Sequence, residues 1–132
     1  MSMLQIYLHA SISRKCYKPG DHIVVHCNVF NDSSVECKPR ATLFQNQIYL
    51  FADTHKAYQV PITEPVVGES VAKEDRSLQT LPIPIPNDTP LSIKTELIVV
   101  KYFIHVTLDI PHAFDLHVNL PILVATQSAL NH

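Results

Sequence analysis

Residues 22–30 read His-Ile-Val-Val-His-Cys-Asn-Val-Phe. Two histidines four apart, followed at once by a cysteine, resemble the start of a metal site. The reading of this stretch decides both the fold and the chemistry. On a helix, His22 and His26 would share one face within reach of one ion. On a strand they also share a face, but at about 3.3 Å per residue they stand roughly 13 Å apart. One ion with ligand bonds near ~2 Å does not join them. Cys27 then points the opposite way. The residues themselves favour the strand. Ile23, Val25, Cys27 and Val29 alternate with His22, Val24, His26, Asn28 and Phe30, a period of two.

The same period runs outward in both directions. Leu4, Ile6, Leu8, Ala10 and Ile12 alternate with Gln5, Tyr7, His9 and Ser11. Between these strands, Lys18-Pro19-Gly20-Asp21 is a turn. Proline presets the backbone of its second residue, and glycine supplies the positive φ that follows. Asn31-Asp32-Ser33-Ser34 is the next turn. Further strands are expected over about 40–52 and 56–67, and the charged stretch Glu69 to Arg76 reads as a loop. Pro82, Pro84 and Pro86 lie two apart, so three missing N–H donors fall along one edge. That marks 81–86 as a sheet edge or an extended segment. A long strand is expected over about 93–110, with Ile98, Val100, Tyr102, Ile104, Val106, Leu108 and Ile110 on one side. The last, over 114–124, sets Phe114, Leu116, Val118, Leu120, Ile122 and Val124 on one side. No segment has a convincing 3.6 period. The fold class is therefore all-β: an immunoglobulin-like antiparallel β-sandwich of about seven strands. Residues 1–132 form one domain, with a core over about 4–125 and a frayed tail over 126–132.

Composition narrows the function. The chain has 132 residues, 46% of them hydrophobic, and a formal charge of −2. No Lys/Arg run marks a nucleic-acid surface, and no apolar stretch reaches the roughly 18 residues that span a bilayer. The start lacks the features of a signal peptide. Three cysteines without a CxxC point to a reducing, cytoplasmic setting. Glycine-rich phosphate loops and the G-x-S-x-G elbow are absent. Lys38 and Arg40 beside Cys37 would favour a thiolate, but an ordinary loop thiol is the simpler reading. His105 and His117 are candidate cross-strand neighbours. The sequence names no catalytic residue, no metal site and no cofactor, and the chain does not read as an enzyme.

Several stretches carry a family likeness. They are Arg14-Lys15-Cys16-Tyr17-Lys18-Pro19-Gly20-Asp21, the run from Ile23 to Ser34, Leu81 to Ile93, Ile98 to Pro111, and Leu116 to Val124. In this order they resemble the C-terminal domain of the arrestins, closest to the α-arrestins, or arrestin-domain-containing proteins. The resemblance implies a non-catalytic adaptor in protein trafficking and signalling. Its partners would be proteins: receptor or transporter tails, endocytic adaptors, and ubiquitin ligases held through PPxY motifs in a tail. It implies a cytoplasmic protein recruited to plasma membrane and endosomes. A structural subunit of a retromer-like coat is the alternative, since the arrestin fold also serves there. No PPxY occurs in these 132 residues. The member that interacts with thioredoxin uses a cysteine near the turn that here reads Asn31 to Cys37. Ser34 falls at that position, with Cys37 three residues on.

A sandwich without a pocket offers partners its edges and its end loops. Sheet edges allow weak homodimers. The candidate contacts are Ser34 and Cys37 in the first end loop and Pro111, His112 and Phe114 in the last. Alternation favours Phe114 as the start of the inward series. The other reading is an aromatic at a hairpin tip, facing a partner or a membrane surface.

Overall fold

The structure is a computed structural model and describes residues 5–126. Leu4 and residues 127–132 of the expected tail lie outside it. Ten strands are described: β1 (Gln5–Ile12), β2 (Cys16–Tyr17), β3 (His22–Asp32), β4 (Lys38–Phe51), β5 (Thr54–Pro61), β6 (Val66–Val67), β7 (Asp75–Pro84), β8 (Ile93–Lys94), β9 (Ile98–Asp109) and β10 (Leu116–Val124). β2, β6 and β8 have two residues each, which leaves the seven longer strands of the sandwich.

The strands form two sheets. One has the order β1-β3-β7, the other β2-β10-β9-β4-β5, with β6 on β4 and β8 on β9. All pairings are antiparallel except β2 with β10. The alternation seen in β3 sorts its residues between core and solvent. Ile23, Val25, Cys27 and Val29 are buried, while His22, Val24, His26 and Asn28 are exposed. The inward rows of both sheets meet in one core that includes Ile83, Leu43, Tyr102, Ile104, Ile122 and Val124. A second, smaller cluster of Val29, Cys37, Val71, Leu108 and Ile110 closes one end.

The turn before β3 has the geometry its residues demand. The Asp21 N–H donates to the Lys18 carbonyl at 3.1 Å. Gly20 has φ +92°, and a Cβ there would lie 2.5 Å from Asn87 Oδ1. A side chain at position 20 would therefore be strained by the backbone and would push the Asn87 side chain aside.

The prolines stand where the sequence places them. The Ile85 N–H donates to the Asp21 carbonyl, so odd-numbered residues of this segment face β3. Pro82 and Pro84 then turn their missing donors to the free edge of β7, and both are exposed.

Three boundaries differ from the sequence reading. The expected strand over 93–110 is two, because β8 folds back on β9, pairing Ile93 with Val100. The Thr95 Oγ1 makes this turn by accepting from the Leu97 and Ile98 N–H groups at 3.2 and 3.0 Å. The strand over 56–67 is interrupted between Pro61 and Val66, and both pieces lie along β4. The stretch 69–76 is not wholly a loop. Val71 is buried and exchanges backbone hydrogen bonds with Cys37, at 2.7 and 3.2 Å, and β7 already starts at Asp75.

Candidate functional site

The small second cluster supports an end of the sandwich built from three connections: 33–37, 68–74 and 110–115. Asn31 ties two of them together. The inward row of β3 continues past Val29, so Asn31 is buried rather than part of an exposed turn. Its Nδ2 donates to the carbonyls of Val35, Val71 and Ala72 at 2.8, 3.2 and 3.1 Å. Its Oδ1 accepts from Ser33 Oγ at 2.6 Å. A buried amide with both ends satisfied fixes the 33–37 loop against the 71–72 backbone.

Beside this network lies an open depression of about 470 Å³, lined by Glu36, Cys37, Lys38, Ser70, Asp109, Ile110, Pro111 and Asp115. Its carboxylates are all engaged. Asp109 Oδ2 accepts from Arg40 Nε at 2.9 Å. Asp115 Oδ1 accepts from the Ile110 N–H at 3.0 Å, and Glu36 Oε2 accepts from Ser70 Oγ at 3.1 Å. These contacts hold the loops in shape.

The candidate residues separate into exposed and buried. Ser34, Pro111 and His112 are exposed. Phe114 is 97% exposed, against the inward position that alternation favours. The physical reason is the turn. His112 adopts φ 60°, and β10 begins only at Leu116, so Phe114 precedes the pleat that would turn it inward. Cys37 is the opposite case. It is not a loop thiol, being 2% exposed in the second cluster. Burial pushes its thiol up, not toward the thiolate. Lys38 is exposed at the rim of the same depression, and Arg40 is committed to Asp109. The structure therefore brings Cys37 and Pro111 to one depression and leaves Ser34, His112 and Phe114 on the turns beside it.

The histidines resolve as their period predicts. His22 and His26 are exposed on the outer face of β3, opposite to Cys27. His105 and His117 are diagonal neighbours on β9 and β10, with Nε2 and Nδ1 3.1 Å apart. His105 Nδ1 lies 2.6 Å from Asn119 Oδ1. Among the described residues, no three His, Cys, Asp or Glu side chains are grouped to hold a metal ion. No described helix is long and apolar enough to cross a membrane.

Sequence reasoning missed two polar groups on inward rows. Asn31 is one. The other is Gln45, whose Nε2 donates to the buried Tyr102 hydroxyl at 2.8 Å, which donates in turn to the Pro90 carbonyl at 2.7 Å. The signal was present in both cases: a polar residue in phase with the apolar series.

A family model described as "Arrestin (or S-antigen), C-terminal domain" matches residues 3–129. The chain belongs to this family. Among curated proteins, human arrestin domain-containing protein 4 is 30% identical over 122 residues, covering 92% of this chain and 29% of that protein. The mouse protein of the same name is 27% identical over 121 residues, with the same shares. The arrestin-family chain thus spans less than a third of the length of these relatives. A crystal structure of Spo0M, a sporulation control protein from Bacillus subtilis, matches with a TM-score of 0.73 at 16% identity. It covers 92% of this chain and 50% of that one, a likeness of fold alone.

Proposed function

We propose that this arrestin C-terminal-like domain is a non-catalytic adaptor module in protein trafficking. It docks membrane cargo, such as receptor or transporter tails, or the endocytic and ubiquitin-ligase machinery, from the cytoplasmic side of plasma membrane and endosomes. The observation that carries this reading is the fully presented Phe114. At 97% exposure its ring is fully available to a partner that would bury it, and aromatic rings are favoured interface anchors. It stands on a turn next to a depression whose three carboxylates already hold hydrogen-bond partners, which lowers the cost of covering them. Ser34, Pro111 and His112 belong to the same end of the molecule.

Affinity capture from reduced cell lysate, with wild-type domain and Phe114→Ala in parallel, tests the proposal. Enrichment of receptors, transporters or endocytic factors by the wild-type domain is expected, with loss of about tenfold in the variant, the scale of a small interface anchor. The melting temperature of the variant should be unchanged. Equal recovery by both proteins contradicts the assignment.

A further inference from the structure

A different surface has the elements of a binding site. β5 ends the larger sheet, and all eight of its residues are exposed. The Ile62 N–H donates to the Leu43 carbonyl at 2.8 Å, so even-numbered residues here face β4. The odd-numbered residues His55, Ala57 and Gln59 therefore present three N–H and three C=O groups to the outside. Pro61 adds a carbonyl but no donor. Beside this edge, Phe51, Lys56 and Tyr58 are exposed, and Gln47 and Tyr49 are half-buried. Gln47, Tyr49, Phe51, Lys56 and Tyr58 line a depression of about 420 Å³. Tyr49 and Tyr58 meet edge to face at 5.9 Å. These residues lie on the face that elsewhere buries the core, but the smaller sheet ends before reaching them.

We infer that the free edge of β5 takes up an extended peptide from a partner protein as an added antiparallel strand. Backbone groups of His55, Ala57 and Gln59 supply the hydrogen bonds, and the row Lys56, Tyr58, Val60 reads alternate side chains. Lys56 is the charged residue of this depression. It repels a basic strand and attracts an acidic one. Read antiparallel, opposite Val60, Tyr58 and Lys56, the peptide is apolar–x–apolar–x–acidic. The other free edges fit less well. Pro82 and Pro84 interrupt that of β7. β1 already turns its apolar row into the core and leaves Tyr7 and His9 outside.

This inference rests on the adaptor reading only in assigning a protein partner, and its test is independent of Phe114. A fluorescent decapeptide carrying leucine, valine and glutamate at the three read positions is titrated against the domain, followed by anisotropy and amide exchange. Saturable binding with slowed exchange at His55, Ala57 and Gln59 is expected. Ala57→Pro removes one outward N–H without touching the β4 ladder and should weaken binding about fivefold or more at unchanged melting temperature. Lys56→Glu should reverse the preference, so that the same peptide with lysine in place of glutamate binds better. Absence of binding, binding indifferent to Ala57→Pro, or β5 pairing with a second copy of the chain instead would overturn the inference. None of these results would alter capture through Phe114.

Discussion

At the scale of single residues, Asn31 carries more than its place before a turn indicates. It supplies donors to three carbonyls in two separate segments. Asn31→Ala leaves those acceptors in a protein environment without a partner and should cost about 1–3 kcal/mol. Urea unfolding would show it as a lower midpoint at unchanged slope. Faster amide exchange at Val35 and Ala72 would accompany it. Cys27 makes the second residue-scale case. Burial raises its thiol to about 11. An acid whose folded pKa exceeds its unfolded value binds its proton more tightly in the folded state. Its stabilisation is fully present below the unfolded thiol value of about 8.5 and is lost as pH rises through 11. Cys37 and the Tyr102 hydroxyl shift in the same direction, also through burial. Unfolding midpoints should therefore be level from pH 7 to 8 and fall from pH 9 to 11. Cys27→Val, close in size and unable to ionise, should flatten part of that slope. An unchanged slope in the variant would place the loss elsewhere.

At the scale of elements, the strands were legible because their period is two and one row is apolar. β3 and β10 show this most plainly, since every second residue of each is turned toward the core. Strand ends were less legible. Whether a chain folds back at Thr95 depends on a side-chain hydroxyl reaching two backbone N–H groups, which no apolar pattern records. Phe114 was misplaced for a related reason: alternation extrapolates through a turn, whereas His112 at φ 60° breaks the pleat. The candidate site was thus half legible. Its loops could be found from turn residues, but the burial of Cys37 arises from Val71, 34 positions away along the chain. The edge prolines give the prediction proper to this scale. Changing both Pro82 and Pro84 to threonine adds two outward N–H groups to β7. Stability should move by no more than about 0.5 kcal/mol, as for other exposed positions. Self-association should rise, visible as a concentration-dependent increase in sedimentation. A variant that stays monomeric would show that the prolines do not guard this edge.

At the scale of the whole molecule, two clusters divide the work. The large core joins the sheets. The small one, with Val29, Leu108 and Ile110 packed around Cys37 and Val71, secures the end loops. A rigid end carrying one exposed aromatic is well suited to recognition, because little ordering remains to be done when a partner arrives. The chain is an arrestin-type sandwich, and the proposed account is that it acts by contact through these end loops. The most direct test of that account is hydrogen exchange on the domain with and without a cytoplasmic receptor or transporter tail recovered by capture. The account predicts slowed exchange at 33–37 and 110–115. Protection confined to other surfaces, or no protection at all, would contradict it.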